Sequence, residues 1–171
     1  MTQPDNSKRQ LDFDNPYVLR HVRFGWWLLL VFLLLGIVLE ALHGLKIRWY
    51  LDVSHETRRL MWTLGHAHGV LLGLVNIALA VTWAVFPGSA TARQPVISKC
   101  MLVAGTLLPG GFLLGGFFIY QGDPGMGIWL VPLGALALCV GVFLTVISLP
   151  KPPAATDGST KTKQKKQKKQ S

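Results

Sequence analysis

Glu40, His43, His66 and His68 are the residues whose types and spacing can do chemistry in this chain: a carboxylate and three imidazoles can hold a metal ion, ligate a haem iron or pass a proton. Glu40 and His43 are three apart, so both lie on one face of a helix, in the Glu-x-x-His spacing that carboxylate-bridged metal bundles use. That motif normally occurs twice in a di-metal protein; here it occurs once, which argues against a di-metal centre. His66 and His68 are two apart, about 200° round a helix. One compact site takes both only if the neighbouring glycines distort the helix. His66 points close to the face of Gly65, Gly69 and Gly73, with Asn76 two to three turns deeper, whereas His68 looks towards a different neighbour.

Three arrangements would put these groups to work. In the first, His43 and His66 (or His68) ligate a haem iron from facing helices. In the second, Glu40, His43 and one of the His66/His68 pair hold zinc or copper, with Asp52, His55 and Glu56 available to complete the set. In the third no metal is needed: Glu40 and the histidines exchange protons or border a quinone pocket, where Trp62 or Tyr120 stacks on the ring. The competing explanation is a structural network in which Glu40 pairs with a histidine or with Arg58.

The elements that must position these residues are four long runs with almost no charge: Phe24 to Leu39 (to Leu45 if Glu40 is absorbed), Leu60 to Phe86, Met101 to Tyr120 and Gly125 to Leu149. A bilayer needs about 20 apolar residues per crossing, and every backbone polar group inside it must be paired, so each run reads as a membrane-spanning helix. Half of the residues are hydrophobic and 15% are charged, with the charges gathered outside the runs. The fold class expected is therefore all-α, a polytopic four-transmembrane-helix bundle. The domains are a disordered lead over 1–15, the bundle over 16–150 with spans about 24–45, 60–86, 97–121 and 125–149, and a disordered Lys-rich tail over 151–171. With Asp5, Asp12 and Asp14 in its lead and no A-x-A-like site after it, the first helix reads as a retained signal-anchor.

Local signals set the ends. Asn15 before Pro16 is a cap and first-turn pair, Ser54 caps the second helix, Pro87 and Gly88 end it, Pro95 opens the third, and Asp123 caps a fourth that starts at Pro124. Arg20, His21 and Arg23 are expected at the headgroups, with Trp26 and Trp27 just inside. Trp49, Tyr50 and Trp62 form the aromatic belt at the other face. Gly111 and Gly115 repeat the four-residue spacing of the Gly65 series, marking close helix packing and a central second helix. Cys100 and Cys139 sit at different depths and are expected to be buried free thiols.

Thirteen Lys and Arg fall in the two tails and the 87–99 link, against four (Lys46, Arg48, Arg58, Arg59) in the first loop. This asymmetry puts both termini in the cytoplasm, with the protein in the cell inner membrane. The Glu40/His43 end of the first helix then meets the His66/His68 start of the second at the outer face. The Lys/Gln tail reads first as a solvated topology determinant, next as a contact for anionic lipid, and last as a nucleic-acid binder, which is not expected.

The segments Leu64 to Asn76 and Asp123 to Leu133 resemble parts of uncharacterised small bacterial four-helix membrane proteins, and the His66-Ala67-His68-Gly69 opening resembles helices of haem-copper oxidases. The second resemblance covers a short stretch. The further histidine ligands, catalytic tyrosine region and additional helices of such an oxidase are absent, so no activity is carried over. The expected function is that of a non-enzymatic inner-membrane protein, an accessory of a respiratory or metal-handling complex, whose outer Glu/His layer binds haem or a transition metal. A transporter or proton/quinone-path component is the alternative, and a purely structural subunit the third.

Overall fold

The structure, a computed structural model, describes residues 15–51, 56–86 and 92–150. The expectations for the lead, Ser54, Asp52, His55, Pro87, Gly88 and the Lys-rich tail lie outside them. Four helices in the described residues are long and apolar enough to cross a membrane. They are α1 (Pro16–Gly44), α3 (Glu56–Val85), α4 (Gln94–Phe117) and α5 (Leu130–Val146), the last preceded by a 3₁₀ turn over Met126–Trp129; α2 (Arg48–Leu51) is a single turn between α1 and α3.

Each end has a local cause. At the start of α1 the Asn15 side chain accepts from the Tyr17 N–H at 3.0 Å, and Pro16 sacrifices no helical hydrogen bond there. Its other end is a Schellman closure: Ile47 N–H donates to Leu42 O and Lys46 N–H to His43 O, both at 3.1 Å. Lys46 sits at φ 53°, a left-handed position that glycine usually fills. This turn sends α2 back across the end of α1. Between α4 and the 3₁₀ turn, β1 (Ile119–Tyr120) pairs antiparallel with β2 (Asp123–Pro124). The connecting Gln121 and Gly122 have φ 51° and 93°, the two positive values that a tight primed hairpin turn demands. Asp123 and Pro124 are therefore strand residues rather than a helix cap and first turn, and Gly125 takes the N-cap position instead.

The helices do not close on one another equally. Packing runs α1 on α3, α3 on α4 and α4 on α5, so α3 and α4 are central. Across their most apolar stretches 44% of each central helix is buried, against 22% of α1 and 11% of α5. The outer pair thus leaves most of its apolar surface uncovered by protein, as lipid-facing helices do.

Glycine sets the α1–α3 approach. A Cβ on Gly25 would lie 2.7 Å from Gly73 O, and one on Gly73 would lie 3.0 Å from Gly25 O, so the two backbones touch where only hydrogen atoms fit. Gly69 gives its space to the Phe32 ring. Gly65 turns the other way, onto Leu113 and Pro109 of α4, so the glycine stripe of α3 serves two neighbours.

Candidate functional site

The hairpin end, where α1 meets α2 and α3, holds a cavity of about 390 Å³ lined by Gly36, Leu39, Glu40, His43, Gly44, Tyr50, Thr63 and His66. Three of the four residues singled out above therefore border one space. Depth counting along two antiparallel helices brings them there, since Glu40 and His43 lie in the last turns of α1 and His66 in the third turn of α3. His68 is not on this wall. Its Nδ1 donates to Leu64 O at 2.8 Å in its own helix, and its ring lies against Phe112 of α4 with centroids 4.9 Å apart.

His66 is the best-defined group of the three. Its Nδ1 stands 2.6 Å from the Phe32 carbonyl of α1, which can only accept, so Nδ1 carries the proton. Nε2 has no hydrogen-bond partner among the described residues and is not among the buried atoms that lack one. The neutral ring thus presents a lone pair to open space. Gly36 makes this orientation available: a Cβ there would run into the imidazole, ending 2.9 Å from Nδ1.

Glu40 and His43 are exposed, and Glu40 has no ion-pair partner among the described residues, where the one salt bridge is Arg59 to Glu56 at 3.5 Å. Arg58 does not reach Glu40. It is buried at 7% exposure, its Nε donates to Gly116 O at 3.3 Å, and its guanidinium carbon stands 4.5 Å from the Trp49 ring centroid. Trp62 Nε1 donates to Leu113 O at 3.3 Å, and Gly125 N–H to Gly115 O at 2.8 Å. Arg58, Trp62 and Gly125 together satisfy carbonyls at the C-terminal end of α4, where a cation is favoured.

Tyr50 and Trp62 are buried, stacked on one another with centroids 6.3 Å apart, and so are not the surface belt expected for them; Trp49 remains exposed. Tyr120 is exposed on the hairpin and does not line the cavity. Both cysteines are free, but neither is buried as expected: Cys100 is half-buried and Cys139 is exposed.

No group of three or more His, Cys, Asp or Glu among the described residues is placed to hold a metal ion. The cavity lining nevertheless includes two imidazoles and a carboxylate, Glu40 and His43 from α1 and His66 from α3. A metal-binding histidine typically donates its second nitrogen to a carbonyl, as His66 does.

A second polar constellation, which sequence reasoning missed, lies at the opposite, tail end. His21, expected at the headgroups, is fully buried together with Asn76 and Ser98. Its Nδ1 lies 2.6 Å from Asn76 Oδ1 and its Nε2 3.0 Å from Ser98 Oγ. Asn76 Nδ2 donates to Leu72 O at 2.8 Å, so the amide turns its oxygen to the ring and Nδ1 must donate. In the neutral ring Nε2 then accepts from the Ser98 hydroxyl. Trp83 packs edge-on to the imidazole at 5.3 Å, and Asn15 Nδ2 donates to Gln94 Oε1 at 3.3 Å just beyond. His21 of α1 thereby ties α3 through Asn76 and α4 through Ser98. A lone Asn in an apolar run was the signal, because such an amide must find a partner at its own depth.

This Ser–His–Asn chain has the order of a nucleophile, a base and an orienting group. All three members are buried, and neither of the two described cavities is lined by any of them, so the arrangement serves as a clamp between helices.

The chain matches no protein-family model, no curated protein and no solved structure.

Proposed function

We propose that this chain is an integral protein of the cell inner membrane, with both termini in the cytoplasm, that binds a small ligand in the hairpin-end cavity between α1 and α3. Four helices of sufficient length and apolarity support the membrane assignment, and the thirteen-to-four division of Lys and Arg supports the orientation. The cavity then opens near the outer interface. The Lys-rich tail then belongs to the cytoplasmic side, where each lysine held near anionic lipid would be worth about 1 kcal/mol.

The observation that carries the binding role is His66. An imidazole fixed by a backbone carbonyl, with its other nitrogen free on a cavity of ligand size, is prepared for a partner that the protein does not supply. Glu40 and His43, from α1, add an exposed carboxylate and a second imidazole to the lining of the same cavity. The role needs no soluble catalytic domain and is non-enzymatic, with the protein serving as an accessory of a larger membrane complex.

Haem or transition-metal binding is the second reading, favoured by the Nδ1–carbonyl arrangement of His66. His66 and His43 would be the ligands, with Glu40 close by. The first reading ranks above it because it commits to no ligand set, and the described residues offer no group of three or more His, Cys, Asp or Glu for a metal ion alone.

Purified full-length protein extracted in mild detergent tests both. An absorption spectrum, elemental analysis and mass spectrometry of the organic extract should find one ligand near stoichiometry, lost in His66→Asn. A Soret band or a stoichiometric metal would select the second reading, and the absence of any bound species would count against a binding role. A reporter fused after Lys151 should be active only as a cytoplasmic fusion; activity as an external fusion would reverse the orientation.

A further inference from the structure

We infer that the hairpin-end cavity selects a hydroxyl-bearing aromatic ligand, a quinol rather than its quinone. This rests on the binding role proposed for that cavity and specifies its ligand.

The selection follows from which atoms can donate. With its proton committed to Phe32 O, neutral His66 offers the cavity a lone pair at Nε2. An ionised Glu40 offers two acceptor oxygens and no donor. Thr63, His43 and the Tyr50 hydroxyl can donate as well as accept, so the group whose role is settled, His66 Nε2, decides. A quinone carries only acceptors at its ring oxygens and leaves Nε2 without a donor. A quinol brings two O–H groups, one able to donate to Nε2. A committed acceptor discriminates against an analogue that lacks the donor, because it is then left unpaired.

Size and surroundings narrow the class. A cavity of about 390 Å³ falls in the range for small organic ligands. Gly44, where a Cβ would meet nothing within 4 Å, leaves open backbone, Leu39 adds an apolar side chain, and Tyr50 lines the cavity as well. The cavity lies between two helices apolar enough to stand in lipid, so a ligand arriving from the bilayer must be apolar apart from its polar edge. A quinol with an aliphatic tail meets this requirement. An ammonium ion or a sugar, although each brings donors, does not partition into lipid.

The test uses the detergent-solubilised full chain in mildly alkaline buffer. A short-tailed benzoquinol, kept reduced without oxygen, and the matching benzoquinone are titrated separately by isothermal calorimetry. The quinol should bind about tenfold more tightly, the difference expected of one net hydrogen bond to a partly open site.

Two variants locate the effect. His66→Asn keeps a donor near the Nδ1 position for Phe32 O and removes Nε2; it should bring the two affinities within about twofold while the melting temperature shows that the fold is retained. Thr63→Phe, which fills the cavity from an exposed wall, should weaken both rings. Equal affinities in the parent protein that fall together in Thr63→Phe would overturn the donor selection and leave the binding role standing. Tighter quinone binding would also overturn it. No binding of either ring, or binding indifferent to Thr63→Phe, would remove quinol and cavity together. Zinc or copper bound through His66 while neither ring binds would make the ligand a cation.

Discussion

Replacing His21 by leucine should destabilise the fold by about 2–4 kcal/mol, and the reason lies in what the loss leaves behind. Ser98 loses its acceptor but can swing its hydroxyl back onto a carbonyl one turn earlier in α4. Asn76 has no such escape, because its amide nitrogen is already held by Leu72 O and its oxygen faces the vacated site. One buried acceptor is orphaned, at a cost of about 1–3 kcal/mol. Loss of the edge-on contact with Trp83 adds about 0.5–1.5 kcal/mol. Asn76→Leu strands the His21 N–H in the same way. The double variant removes both ends of the bond and should cost less than the sum of the two, by about 1 kcal/mol, since hydrogen bonds between membrane helices average about 0.6 and reach about 1.7 kcal/mol in such cycles. Reversible unfolding in mixed micelles titrated with a denaturing detergent, followed by circular dichroism, gives all four free energies. Costs that add to within about 0.3 kcal/mol would mean that His21 and Asn76 are not bonded to one another.

Gly25→Ala drives a methyl group against the Gly73 carbonyl and should cost about 1–3 kcal/mol in the same unfolding measurement, whereas Gly110→Ala, which meets nothing within 4 Å, should be neutral or stabilising by up to about 1 kcal/mol. If the two variants behave alike, the close approach of α1 and α3 is wrong. Lys46→Gly relieves a left-handed lysine and should stabilise the protein by about 1 kcal/mol, read as a higher denaturant midpoint, while Lys46→Val should lower it. A midpoint that falls with glycine would place the end of α1 elsewhere.

The four helices were legible because hydrophobic runs of membrane length are the strongest pattern a sequence carries, and the meeting of Glu40, His43 and His66 was legible because two antiparallel helices joined by a short link share depths. The burial of His21 was not legible, because the partners that enclose its ring, Asn76 and Ser98, come from α3 and α4, 55 and 77 positions away. Asp123 and Pro124 carry a genuine helix-start signature; pairing with Ile119 and Tyr120 across a positive-φ turn overrode it. Tyr50 and Trp62 were assigned a belt because interface aromatics are common, and what moved them inside was the α4 terminus, whose carbonyls needed the indole N–H and the Arg58 guanidinium. Partnerships between residues more than fifty positions apart leave little trace in a single sequence.

Tyr50 belongs to two structures at once, as one wall of the cavity and as the ring stacked on Trp62. The indole is 7% exposed, hydrogen-bonded and wedged against Phe117 with ring centroids 5.1 Å apart, so its emission depends on how its neighbours sit. Anything that enters the cavity and displaces the tyrosine changes the surroundings of that fluorophore. The protein thus carries an optical gauge of its own occupancy, readable without a label as a change in Trp62 emission.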